Sequence, residues 1–365
     1  MAASTLAEVA RLAGVSLATA SRVLNGSDRK PGQDVAERVR QAAASLGYVP
    51  NAQAQGLARS TSGLVGLVVH DIADPYFAAI ARGVQAAARE QGKMVLLATT
   101  EGTPADERAA AAAFAARRAD SIVIAGSRSI RPEDQESNAE LAAELDRYCR
   151  NGGRVGVLGH PIVGAAALDG YHVVAVPNEA LAAQLATTLA QVPGEFVIIG
   201  GPEGLLTSDD RVRGYQSGLA AAGLPPAEVL RASFDRTGGY EAGLTLANRI
   251  SAARKANKAS TGEAPRPCIF AASDVMAIGA VAALRSEGLR VPRDVLIAGF
   301  DDIETLRDFR PSLSTVRLPL EKIGRLAALA GTTGQTGAGG ADDGTAIAGQ
   351  VTLRRSTQSS SAPRN

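Results

Sequence analysis

The sequence predicts a small all-α head joined to a larger α/β body that contains two parallel sheets. Three observations carry this. Apolar residues recur at helical spacing through roughly the first fifty positions. From Ser62 onward, short apolar runs typical of buried parallel strands alternate with amphipathic helices. The 365 residues exceed what one ordinary domain needs, and the alternating pattern runs through twice, which divides the body into two subdomains.

The first helix is expected in the segment Ser4 to Gly14. Thr5 followed by Glu8 makes a capping box, Leu6, Val9, Ala10 and Ala13 share one face, and Gly14 supplies the turn. Ser16 caps a second helix from Leu17 to Leu24, with Ala20, Val23 and Leu24 turned inward, and Asn25-Gly26 ends it. After Pro31-Gly32 a third helix runs from Gln33 to Leu46, with Val35, Val39, Ala42 and Leu46 in register, and Gly47 stops it. Two short helices joined by a glycine turn and followed by a third are the sequence form of a helix-turn-helix. The head spans 1–48. Residues 49–62 form a linker in which Asn51 to Ala58 is long enough for only two helical turns and has no large apolar face. Such a helix is marginal alone in water, and Gly56 weakens it by about 1 kcal/mol, so it is expected to form only against a partner.

In the body, spanning 63–356, strand Leu64–Val69 is followed by helix Phe77–Gln91, strand Met94–Ala98, helix Pro104–Arg118 and strand Ser121–Ile124. Helix Asn138–Arg150 leads to strand Arg154–Leu158. The second half holds helix Glu179–Ala190, strand Phe196–Ile199, helices Asp210–Ala222 and Gly238–Arg249, strand Cys268–Ala271, helix Val275–Glu287 and strand Val295–Gly299. Polar stretches at 251–267 and 331–346 read as flexible loops, and the Ser-rich tail 357–365 as disordered.

Composition narrows the function. Hydrophobic residues make up 45% and charged residues 21%, the balance of a folded, water-soluble protein. With no Trp and 4% aromatic residues, a cleft built mainly from rings is not expected. Residues 1–62 carry seven Lys and Arg against four Asp and Glu, a balance of +3, while the remainder carries 31 against 33. A basic head on a near-neutral body points to nucleic-acid contact through the head. Cys149 and Cys268 match no metal spacing and read as free thiols in a reducing cytosol. No apolar run could span a membrane and the N-terminus is unlike a signal peptide, so a cytoplasmic location is expected. No nucleophile–base arrangement, metal cluster or phosphate-binding glycine loop is present, so no enzyme, no cofactor and no metal are expected.

The string Thr5-Leu-x-Glu-Val-Ala10, Ala13-Gly-Val-Ser16, Ala18-Thr-x-Ser-Arg-Val-Leu-Asn25-Gly26 and Leu46-Gly-Tyr-Val-Pro-Asn51 resembles the headpiece of the LacI/GalR family of transcriptional regulators. The resemblance continues through the body. It implies a periplasmic-binding-protein-like effector domain, a near-palindromic double-stranded operator, a homodimer, and a small-molecule effector. The effector would be a sugar or sugar derivative, with a nucleobase or another metabolite as the alternative. A solute-binding protein without a DNA role shares the two-lobed fold, but it would need export and would not need this head.

For DNA, the outward face of the second helix is the expected reader. Arg22 suits a bidentate contact to guanine, and Leu17 and Ala18, with Ser21 beside them, would read by apolar contact or shape. Thr5, Ser16, Thr19 and Asn25 are placed for phosphates, although Thr5 and Ser16 serve equally well as helix caps. The resemblance implies that the linker is a hinge helix that folds in the minor groove, with Asn51, Ala54 and Gln55 at the DNA. It places Leu57 at the wedge position that opens a base step; packing within its own domain is the other reading.

For ligand, the loops at the C-terminal ends of the strands are the expected site. The segment His70-Asp71-Ile-Ala-Asp-Pro-Tyr76-Phe77 resembles the family's Asp-x-x-Asn-Pro-Phe-Phe loop, with Asp74 in place of Asn. Tyr76 or Phe77 would stack on a ring unless core packing claims it. Arg211 falls on the family's ligand-binding Arg, Ser273-Asp274 on its Asn-Asp pair, and Asp301 in Gly299-Phe-Asp-Asp on a hydroxyl-accepting carboxylate. Asp274 reads more simply as a helix cap. Gly159-His160-Pro161 stands where many sugar-binding relatives carry Asp-Arg-Pro, which puts His160 at the ligand and removes one hydroxyl acceptor.

Overall fold

The structure is a computed structural model. It describes residues 4–25, 31–49, 61–165, 169–257, 266–333 and 347–358. The chain divides into two compact units, 1–63 and 64–365.

The first unit contains α1 (Leu6–Ala13), α2 (Leu17–Asn25) and α3 (Gln33–Ser45). The caps are those the sequence offers. Thr5 Oγ1 accepts from Glu8 N at 3.4 Å while Thr5 N donates to Glu8 Oε2 at 2.8 Å, closing a reciprocal box. Gly14 turns the chain in the left-handed region at φ 65°, where a side chain would be strained. Ser16 Oγ then accepts from Thr19 N at 3.1 Å. The core is built from small residues: Val9, Ala10, Ala13, Ala20, Val39, Ala42 and Ala43, flanked by Leu6, Val15, Val23, Leu24, Leu46 and Tyr48. Alanines let the three short helices approach closely enough for a unit this small to bury a core.

The second unit holds two parallel sheets. The first comprises β1 (Leu64–Val69), β2 (Met94–Thr99), β3 (Ser121–Ala125), β4 (Arg154–Leu158) and β5 (Tyr171–Val174), in the order β2-β1-β3-β4-β5. The crossover helices are α4 (Pro75–Glu90), α5 (Pro104–Ala116) and α6 (Gln135–Arg150). Side chains alternate across β1: Val65, Leu67 and Val69 join the core that contains α4, whereas Val68 packs with Ala111 and Phe114 of α5. The sheet is therefore covered on both faces, as parallel pairing requires.

The second sheet has the order β7-β6-β8-β9, from β6 (Phe196–Gly200), β7 (Glu228–Arg231), β8 (Cys268–Ala271) and β9 (Leu296–Ala298). Its helices are α7 (Asn178–Leu189), α8 (Leu206–Ala221), α9 (Arg236–Asn257) and α10 (Asp274–Ser286). An antiparallel ribbon of β10 (Thr315–Arg317) and β11 (Gln350–Thr352) adjoins this sheet through the Ala298–Ser314 bridge. Helix α11 (Leu320–Thr333) returns to the first lobe and packs on α4 and β4. The chain thus crosses to the second lobe at 175–177 and back at 318–319, and it is in the second lobe again at β11, so neither lobe is one continuous segment.

Four strands, β5, β7, β10 and β11, and helix α11 were not expected from the sequence. Helix α8 begins at Leu206, a turn before the expected Asp210. Helix α9 extends to Asn257, into the stretch 251–267 expected to be a loop. Its last turn carries Arg254 and Lys255, which favour a helix C-terminus, and Arg254 pairs with Asp294 at 2.8 Å. Helix α11 likewise occupies the beginning of the expected loop 331–346. Residues 258–265, 334–346 and 359–365 lie outside the described residues.

Candidate functional site

A cavity of about 410 Å³ lies between the two lobes, lined from both. Its floor on the second-lobe side is Arg211 of α8, which is almost wholly buried. The guanidinium donates to Asp301 at 2.8 and 3.3 Å, to the Ala272 carbonyl at 2.7 Å and to Asn178 Oδ1 at 3.0 Å, and it stacks 4.0 Å above the Phe300 ring. Every one of its N–H-bearing nitrogens is therefore engaged, which fixes the fork. Asp301 holds φ 116°, a strained conformation for a residue with a side chain, and is pinned there by main-chain hydrogen bonds to Val316 and from Leu318. Burial pushes the Asp301 carboxyl up to about 6 against the pull of Arg211, and Asp74 adds to the rise.

Asp274 differs from its expected role. The N-cap of α10 is Ser273, whose Oγ accepts from Met276 N at 3.3 Å. Asp274 is fully buried and accepts from Thr315 Oγ1 at 2.7 Å and Ile303 N at 3.0 Å, so it braces the turn that carries Asp301. Burial, with Asp301 nearby, drives its carboxyl well above the ordinary range. Ser273 lines the cavity; its Oγ accepts at the cap and keeps its O–H as a donor.

On the first-lobe side, His70 follows β1 and its Nε2 lies 3.4 Å from Glu107 Oε1. Asp71 is exposed and accepts from Ala73 N at 2.8 Å within its own turn. Asp74 caps α4 by accepting from Tyr76 N at 2.8 Å, and burial raises its carboxyl pKa. Tyr76 and Phe77 meet edge to face at 5.0 Å, and both border the cavity. Phe77 also belongs to the hydrophobic core, whereas Tyr76 is only half-buried, so of the two rings Tyr76 is the more accessible from the cavity.

His160 was also expected at the ligand. It does not line the cavity; its Nε2 pairs with Asp210 of α8 at 2.8 Å, joining the lobes, and its Nδ1 is buried without a partner. Main-chain bonds also span the gap: Leu206 N to Arg128 O at 2.9 Å and Ile130 N to Gly204 O at 2.9 Å. Cavity residues that sequence reasoning missed include Glu101, Arg131, Asn178, Phe234 and Asp235. Asn178 follows β5, and Phe234 and Asp235 follow β7, both unexpected strands.

In the head, Leu17, Ala18 and Arg22 stand exposed on one side of α2, opposite buried Ala20. Ser21 Oγ accepts from Asn25 Nδ2 at 2.9 Å, and Thr19 and Ser16 bond to each other at 2.8 Å. Thr5 and Ser16 act as caps here. The expected hinge residues Asn51, Ala54, Gln55 and Leu57 lie outside the described residues. Cys149 and Cys268 are free and buried, and burial pushes their thiols up to about 11 and about 12. Among the described residues no helix is long and apolar enough to cross a membrane, and no group of three or more His, Cys, Asp or Glu could hold a metal ion.

An exposed helix-turn-helix face on one unit and a two-lobed body enclosing a cavity define a DNA-binding regulator with a ligand-sensing domain. Residues 5–51 match the bacterial regulatory proteins of the lacI family, and residues 193–357 match a periplasmic binding protein-like domain. The chain is 32% identical to the ribose operon repressor of Halalkalibacterium halodurans, over 89% of this chain and 88% of that one. It is 27% identical to the transcriptional regulator CelR, solved as a cellobiose complex, with TM-score 0.63 and coverage of 97% and 99%. Its fold also matches the lac repressor dimer solved with operator and the anti-inducer ONPF, at 20% identity, TM-score 0.75, and coverage of 98% and 100%. The chain belongs to the LacI family: it is a ligand-responsive, DNA-binding transcriptional regulator.

Proposed function

We propose that the protein is a cytoplasmic repressor. It binds a near-palindromic operator as a homodimer, with α2 in the major groove and the linker 49–62 in the minor groove, and it acts by binding rather than by catalysis. Arg22 is the base-reading cation of the exposed face, and Leu57 is the wedge. The effector is a small, neutral, polyhydroxylated molecule of the pentose class held between the lobes.

The observation that carries the effector reading is the charge arrangement of the cavity. Five carboxylates line it, Asp71, Asp74, Glu101, Asp235 and Asp301, against two guanidinium groups, Arg131 and Arg211. Both cations are already committed: Arg211 to Asp301, and Arg131 to Asp134 at 2.9 Å and Glu133 at 3.6 Å. An anionic effector would meet net negative charge at low dielectric and find no free cation, whereas hydroxyl groups would find acceptors. The ribose operon repressor among its relatives supports a pentose. Because the cavity walls belong to both lobes, an effector that contacts both can bias their relative angle, by as much as its affinity differs between the two arrangements.

The test is a thermal-shift comparison of D-ribose, D-ribose 5-phosphate and a free nucleobase, since a bound ligand raises apparent stability by mass action. Ribose should raise the transition and its phosphate should not. A shift with the phosphate alone would refute the neutral-ligand reading, and a shift with the nucleobase alone would move the effector to stacking on Tyr76. For DNA, Arg22→Ala should cost roughly 10- to 100-fold in affinity for the selected operator, and Leu57→Ala should weaken specific binding far more than nonspecific binding. Equal losses on specific and nonspecific DNA would refute both assignments.

A further inference from the structure

Glu107 on α5 and Arg128, just beyond β3, lie outside the cavity lining, and nearly all of each side chain is buried, at 1% and 3% exposed. Arg128 grips the carboxylate with two nitrogens, one 2.7 Å from Oε1 and the other on Oε2. Oε1 is also the atom that faces His70 Nε2 at 3.4 Å, and His70 does line the cavity. Packing fixes the ring. A Cβ at Gly126 would fall 1.9 Å from His70 Nε2, and the Phe77 ring lies 5.5 Å away by centroid. Among the described residues Nδ1 has no hydrogen-bond partner.

Burial pushes the Glu107 carboxyl pKa upward, but Arg128 and His70 outweigh it and hold the carboxyl down to about 2. An ionised carboxylate can only accept, so the nitrogen facing it must carry the proton. In a neutral imidazole the other nitrogen then presents a lone pair. We propose that Glu107, clamped by Arg128, is a positioning residue that fixes His70 in its Nε2-protonated tautomer, so that Nδ1 selects effectors bearing a hydroxyl or N–H donor at that point.

The inference rests on the reading of the cavity as the effector site. It adds a specificity rule, because a site built to pair with a donor rejects an analogue that lacks one. The clamp also touches the lobe junction. The Arg128 carbonyl accepts from Leu206 N, and Ser127 Oγ accepts from Thr207 N at 3.2 Å, so the residue that clamps Glu107 also carries a cross-lobe bond.

The test is long-range proton–nitrogen correlation on full-length protein with ¹⁵N-labelled histidine, at pH 8. The chain has three histidines, and His70→Gln assigns the one of interest. His70 should show a protonated Nε2 and an unprotonated Nδ1, and Glu107→Gln should raise the Nδ1-protonated population. A wild-type His70 protonated at Nδ1, alone or with Nε2, would overturn the proposal whether or not the variant folds. With D-ribose added, the Nδ1 resonance should move, and Glu107→Gln should weaken ribose binding about tenfold or more. If ribose binds equally well to wild type and Glu107→Gln, the proposal also fails. The expected tautomer with no response of any histidine to ribose would instead count against the pentose reading of the cavity.

Discussion

Among the described residues each lobe of the α/β body buries an arginine–carboxylate pair, and the two pairs drive their carboxyl groups in opposite directions. Glu107 has Arg128 almost to itself and gains His70 besides, and its carboxyl falls to about 2. Asp301 shares Arg211 with Asn178 and the Ala272 carbonyl, stands near Asp74 and Asp274, and is pushed up to about 6. The geometry of the two bridges is similar; the surroundings differ. A buried ion pair is favourable only when its geometry and its neighbours repay desolvation. The first-lobe pair meets that condition and makes a rigid support. The second-lobe pair meets it only in part, so a carboxyl group is held at the cavity wall close to exchanging its proton.

The largest expected effect separates the two pairs by substitution. Glu107→Gln leaves the buried Arg128 without its counter-charge and should cost roughly 3–5 kcal/mol of stability. Asp301→Asn also takes the counter-charge from Arg211 and turns one of two accepting oxygens into a donor, but it removes a charge that burial disfavours, so it should cost less than Glu107→Gln. Denaturant unfolding of the two variants decides this, and equal losses would break the comparison.

The pH dependence should sharpen it. Glu107 binds its proton less tightly in the folded state, so its contribution is present above about 4.5 and is lost as pH falls toward about 2, on the order of 3 kcal/mol. Asp301 binds its proton more tightly when folded. Its charge therefore costs stability as pH rises from about 4 through about 6. Asp301→Asn should remove that cost, gaining on wild type at pH 7 relative to pH 4.5. A variant offset that is the same at both pH values would contradict the raised carboxyl.

The smallest effect concerns the lobe junction. His160 and Asp210 are about a fifth exposed, at 22% and 17%, and Asp210 also serves Arg213. His160→Gln should change stability by less than ~1 kcal/mol, because an ion pair near solvent gains little. A larger loss would mean that the junction, and not the buried pairs, holds the body together.

Much of this molecule was legible before its fold was known, but unevenly. The head was read almost residue by residue because its signals are local: Thr5 with Glu8, Gly14 and Ser16 each act within one turn. The central strands β1, β3 and β8 are continuous apolar runs and declare themselves. Strands β5 and β7 lie at sheet edges, are four residues long and carry polar side chains, so their pairing comes from a neighbouring strand and not from their own pattern. Missing them hid Asn178, Phe234 and Asp235, which follow directly. Arg211 and Asp301 were found at the cavity through resemblance. Glu107 and Arg128 were not singled out from the sequence, because each finds its charge partner 21 positions away and no local pattern links them. His160 was expected at the ligand through resemblance; its pairing with Asp210 in the opposite lobe is a long-range contact that no local pattern announces.

The central claim is that occupancy of the inter-lobe cavity controls DNA binding. Fluorescence anisotropy on an operator selected from a near-palindromic pool, titrated with full-length protein with and without D-ribose, tests it most directly. The predicted result is specific binding that requires Arg22 and whose affinity changes when ribose is present. Specific binding that is unaffected by any molecule shown to occupy the cavity, or no selected operator at all with Arg22 intact, would contradict it.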